Sequence, residues 1–125
     1  MVVEDELFQS LVDEAWESIP EKFRNEVENV VIAVEDWPTK SQLRRLNIKG
    51  TLLGLFDGVP KTGWGQAVVG VQPSKITIFK NPILQRCRTI DQLRKMIRDV
   101  MLHEVGHYFG YDEKGIRELE RKSKK

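Results

Sequence analysis

Cysteine is nearly missing: Cys87 stands alone in 125 residues. An internal disulfide is excluded, and with it the stapled framework of a small secreted domain. No apolar stretch approaches the roughly 18 residues that a membrane-crossing helix needs. The opening Met1-Val2-Val3-Glu4-Asp5-Glu6 has neither the basic start nor the apolar run of a signal peptide. A cytoplasmic location with no membrane partner is the expectation. Gly58, Gly63, Gly65 and Gly70 lack the spacing of a phosphate loop, which argues against a bound nucleotide. No basic stripe interleaved with aromatics is present, so no nucleic-acid partner is expected.

What remains is an ordinary soluble composition, 40% hydrophobic and 31% charged. At this length the chain can bury a core as one domain, residues 1–125. The net charge of +1 conceals an imbalance: residues 1–36 hold eleven acids and two bases, and the remainder is basic. The simplest account is that the two parts neutralise each other within one domain; an acidic or basic face for a partner is the alternative.

Histidine is almost as scarce as cysteine, and both copies fall in one stretch, His103-Glu104-Val105-Gly106-His107-Tyr108-Phe109-Gly110-Tyr111-Asp112-Glu113. This reads H-E-x-x-H-x-x-G-x-x-E. On a helix at about 100° per residue, His107 lies about 40° round from His103 and about 6 Å further along. Both imidazoles can therefore reach one metal ion. Glu104 stands on the same flank, beside the metal, where a carboxylate can take a proton from water. Val105 points toward the core, and Gly106 leaves room for another segment to pack closely. Gly110 suits the left-handed turn that ends a helix. Such a turn swings Glu113 back toward the histidines as a third ligand, with Asp112, Glu118 and Glu120 as rivals.

The motif resembles that of the zincin metallopeptidases, in the variant whose third ligand is an acid. More narrowly, the chain is similar to small bacterial zincin-like proteins, through Leu53–Pro60, Lys75–Phe79 and Val100–Gly110, a likeness that runs from Val30 onward. The resemblance implies a minimal α+β zincin-like fold, zinc held by His103, His107 and the acid at 113, and Glu104 as general base. Two departures stand out. Glu113 is one methylene longer than the aspartate of that variant. Met1, Met96 and Met101 all precede the motif, so the methionine turn of the metzincins is absent.

The rest of the chain supplies a scaffold. Leu7, Phe8, Leu11, Val12, Ala15, Trp16 and Ile19 form the apolar stripe of a helix over residues 5–18. A cap at Ser18 and a proline at 20 suggest a helical turn reaching Arg24. Val30–Val34 is a continuous β-branched run, the pattern of a buried central strand. Residues 39–49 suit a short helix or an irregular loop. Thr51–Phe56 reads as a strand interrupted by Gly54. The glycine-rich passage that follows suits a loop near the cleft, with Trp64 as an apolar contact or simply a packed residue. Ile76–Phe79 alternates like a strand and stops at Lys80-Asn81-Pro82. Thr89 and Gln92 form a capping box that starts the metal-binding helix. Leu93, Ile97, Met101, Val105 and Tyr108 make its core stripe; Met96, Val100, His103 and His107 lie beside it. Asp99 reads as a solvated helix charge or a support for His103, and Cys87 as a buried, inert thiol. Residues 114–122 close the fold with a helix. A small mixed sheet packed on the first helix and the metal-binding helix is the expected α+β architecture.

The expected activity is hydrolysis of a peptide or unfolded-protein substrate, with water activated by Zn2+ and Glu104 as catalytic base. Tyr108 and Tyr111 are the nearest phenols for an oxyanion. A strand at the sheet edge could hold the substrate by main-chain hydrogen bonds. The alternatives are a catalytically inactive zinc-binding domain and a protein-interaction module.

Overall fold

The computed structural model describes residues 1–27, 30–58, 74–111 and 113–123, without the side chains of Glu113, Leu119, Glu120, Lys122 and Ser123. The glycine-rich passage with Trp64 lies outside the described residues. The elements in chain order are α1 (Asp5–Glu17), α2 (Glu21–Arg24), β1 (Val30–Glu35), α3 (Lys40–Arg45), β2 (Gly54–Asp57), β3 (Ser74–Phe79), α4 (Lys80–Leu84), α5 (Ile90–Tyr108) and α6 (Glu113–Ser123). The fold is α+β.

Among the described residues the sheet has the order β1-β3-β2, with β1 parallel and β2 antiparallel to β3. Successive side chains of a strand face opposite ways. The register therefore sets Ile32 and Val34 beside Ile76 and Ile78, with Phe56 and Gly54 beyond. That face joins the core. The opposite face carries Val31, half exposed, and the Lys75–Glu35 ion pair at 3.0 Å.

The Val30–Val34 run is thus a flanking strand of the described sheet, not its centre. The central place goes to β3, where Ile76, Thr77, Ile78 and Phe79 are all at most 1% exposed. Only one face of β1 is covered by the core, which is why its apolar run does not mark the middle of the sheet.

Helix α5 is the spine. It packs against α1, β2, β3, α4 and α6. The Thr89 hydroxyl accepts from Gln92 N at 3.1 Å and caps its start. The Gln92 carboxamide reaches back to Arg88 N at 2.8 Å, one residue earlier than a capping box requires. Leu93, Ile97, Met101 and Val105 are all at most 1% exposed and meet Phe8, Leu11, Val12 and Ala15 of α1 in one cluster. Leu7 departs from its expected stripe and is exposed.

The helix ends as Gly110 allows. Gly110 takes φ 76°, its N–H bonds His107 O at 3.0 Å, and Tyr111 N–H bonds Gly106 O at 3.0 Å. This is the paired bonding of a Schellman cap. It turns the chain into α6, whose Ile116 packs onto the bare backbone of Gly106. A Cβ on Gly106 would sit 2.6 Å from Ile116 Cγ1.

Candidate metal centre

The last two turns of α5 carry the motif, and burial of one helix face orients it. With Met101, Val105 and Tyr108 in the interior, His103 and His107 fall on the flank, half buried. Their ring centroids are 4.9 Å apart with the planes inclined at 53°. Glu104 is 7% exposed and lies between the helix and β2. Ligand atoms from His103, Glu104 and His107 all fall within 4.8 Å of one another. Two donors held at about 2.0–2.2 Å by one ion stand at most about 4.4 Å apart, so small side-chain rotations bring the two imidazoles onto a shared ion with the Glu104 carboxylate beside it. Imidazole and carboxylate donors also suit a borderline divalent cation.

The other side of the site is β2. Gly54 faces α5 at close range: a Cβ there would meet Val100 Cγ1 at 2.6 Å, Glu104 Cγ at 3.2 Å and Thr77 O at 3.3 Å. In the sequence Gly54 looks only like an interruption. A lone glycine inside a strand pattern is also the sign of a close approach, and that is its meaning here. Between the segment 51–54 and α5 opens a cavity of about 610 Å³, lined also by Arg86 and reaching His103 and Glu104. The residues before Gly54 and Arg86 carried no sequence signal that would have assigned them to it.

The remaining candidates divide. Glu113 is the first residue of α6, directly after the turn, but its carboxylate lies outside the described side chains, as do Asp112 and the Glu120 side chain. Glu118 is exposed and pairs with Arg121 at 2.5 Å. Asp99 lines the cavity and bonds Lys95 at 2.7 Å, the partner of a helix charge one turn away. Tyr108 is buried edge-on against Phe56, with centroids 6.0 Å apart. Tyr111 is exposed beyond the Schellman turn. Cys87 is buried with its sulfur 3.8 Å from that of Met96. Burial pushes its thiol above the ordinary value, against a smaller opposing pull from the N-terminal ammonium. No helix among the described residues is long and apolar enough to cross a membrane.

No curated protein matches the chain. Among solved structures, a conserved hypothetical protein from Thermus thermophilus is similar in fold, with a TM-score of 0.56 and 23% identity over 86% of this chain and 94% of that one. The model of one family matches residues 27–123, from just before β1 to the end of α6, and so takes in the sheet, the cavity wall and the whole H-E-x-x-H helix. By that match the chain belongs to the family of zincin-like metallopeptidases.

Proposed function

We propose that this protein is a zinc-dependent peptidase that hydrolyses amide bonds in peptides or unfolded segments. The observation that carries the reading is a buried carboxylate, Glu104, set among two imidazoles on the wall of an open cavity. Family membership supports it. His103 and His107 hold the metal, and Glu113 at the start of α6 is the residue assigned as third ligand. Zinc, when bound, supplies a Lewis acid that acidifies water and polarises a carbonyl.

The chain's own groups do the rest. Glu104 accepts a proton from the attacking water and returns it to the leaving amine. The narrow fit between Gly54 and α5 restricts how far that carboxylate can turn. Strand β2 flanks the described sheet and its start lines the cavity, so its main chain is suited to hold an extended substrate. A site that merely fastened α6 to α5 would not need a carboxylate at an open cavity.

The test begins with elemental analysis of the purified protein, followed by a broad peptide library. Wild type is expected to hold zinc and cleave. Glu104→Gln is expected to keep the metal and lose about 10²–10⁴-fold in turnover, the usual worth of general acid–base catalysis. Equal turnover by both proteins contradicts the role of Glu104. Zinc bound with no cleavage by wild type contradicts the peptidase reading and leaves the inactive metal-binding domain.

A further inference from the structure

The cavity extends well beyond the metal centre. One wall is the segment before β2, including Leu52 and Leu53; the other is the first three turns of α5, including Met96 and Val100. These side chains give it an apolar middle. Lys95, also on the wall, stands eight residues before His103. At 1.5 Å per residue that is about 12 Å along the helix axis. An extended peptide advances about 3.3 Å per residue, so the far end lies about three or four residues from the scissile bond.

The two ends differ in charge. Glu104 stands at the metal end. At the far end Lys95 is already paired with Asp99 at 2.7 Å. Arg86 is different. Its Nη1 donates to Pro82 O at 2.9 Å, which anchors one edge of the guanidinium at α4. Among the described residues Arg86 has no carboxylate partner, and it lines the cavity. A guanidinium held by one edge presents its other N–H groups as a fork, the geometry that binds a carboxylate bidentately.

We propose that Arg86 is a specificity residue: the cavity takes an extended peptide with apolar residues next to the scissile bond and an Asp or Glu side chain about three or four residues away, bound by Arg86. This rests on the peptidase reading, and the two are tested apart. Binding is measured on the zinc-loaded Glu104→Gln protein, where turnover does not interfere. The probes are fluorescent apolar peptides, acetylated and C-terminally amidated, so that only side-chain carboxylates are read. Glu is moved through every position and compared with Gln. One position should bind about tenfold tighter with Glu, the scale of a hydrogen bond to a charged group. Arg86→Ala in the same background removes the preference, Arg86→Lys restores part of it, and Arg86→Glu turns it toward Lys peptides. Arg86 is exposed, so circular dichroism should show these variants folded. Glu and Gln binding equally at every position overturns the inference while wild-type cleavage keeps the peptidase reading. A preference that survives Arg86→Ala also overturns it. An Arg86-dependent preference in a protein whose wild type cleaves nothing supports the acid-binding cavity and sinks the peptidase.

Discussion

Cys87 shows what a single residue's environment settles. A thiolate, not a thiol, reacts with electrophiles, and burial raises this thiol above its ordinary range. Iodoacetamide at neutral pH should label the folded protein slowly and the urea-unfolded protein at the rate of a free cysteine. The same shift has a stability consequence. The folded state holds the proton more tightly than the unfolded state. The stabilisation is therefore complete below the unfolded thiol value, near pH 8.5, and is lost as pH rises above it. Urea unfolding at pH 7 and pH 10 should show a larger alkaline loss for wild type than for Cys87→Ala, and equal losses would refute the shift. At this scale the sequence was highly legible. His103, Val105, Gly106, His107 and Gly110 fall where helix geometry puts them, because the relation among residues four apart is local. Leu7 was not legible: it has the right period and the wrong side of α1, and only the neighbouring elements decide which edge of a stripe is covered.

Elements were legible where the cap and the apolar period agreed, as in α5, and illegible where one of them was missing. Helix α3 has a full capping box, with Gln42 N–Thr39 Oγ1 at 3.0 Å and Thr39 N–Gln42 Oε1 at 2.8 Å. It has no buried residue, so without an apolar stripe the sequence left a short helix and an irregular loop both open, and the helix is what forms. Helix α4 begins directly after β3 and contains Pro82, which in the sequence looked like a stop. Proline is tolerated there because it falls in the first turn, where its missing N–H removes no helical bond. The contact between β2 and α5 was invisible, since nothing in either segment names the other. It carries a prediction of its own. Gly54→Ala places a methyl 2.6 Å from Val100 Cγ1 and 3.2 Å from Glu104 Cγ. Overpacking of this kind costs about 1–3 kcal/mol, measurable by urea unfolding. It should also lower hydrolysis while zinc content holds, because it displaces the carboxylate and not the imidazoles. A variant as stable and as active as wild type would mean that the strand and the helix are not pressed together.

In the whole molecule, the acidic first third meets the basic remainder inside one fold. Glu14 pairs with Arg94 at 2.7 Å, Glu35 with Lys75 at 3.0 Å, and Asp5 with Lys80. Such solvated pairs are each worth only about 0–1 kcal/mol, so they balance charge more than they hold the fold. The order of the sheet was the least legible feature. Val30–Val34 has the stronger strand composition, yet β3 takes the centre, because which strand is flanked on both sides depends on pairing partners distant in sequence. A bound metal would be the remaining long-range tie. Gly106 and Ile116 already bring α5 and α6 together, and a ligand from Glu113 would join the same two helices through one ion. Binding only to the folded state stabilises by about 2.7 kcal/mol at a free zinc concentration 100 times the Kd. For a chain of this size that is a rise in Tm of about 10 °C. Wild type should show this rise, reversed by a chelator. His103→Ala and His107→Ala should show none. Glu113→Ala should shift the zinc titration of Tm at least about tenfold toward higher concentration, the scale of a perturbed metal site. An unshifted titration would remove Glu113 from the ligand set and leave the two imidazoles to hold the ion with water or another acid. A wild-type Tm indifferent to zinc would remove the metal from the account altogether.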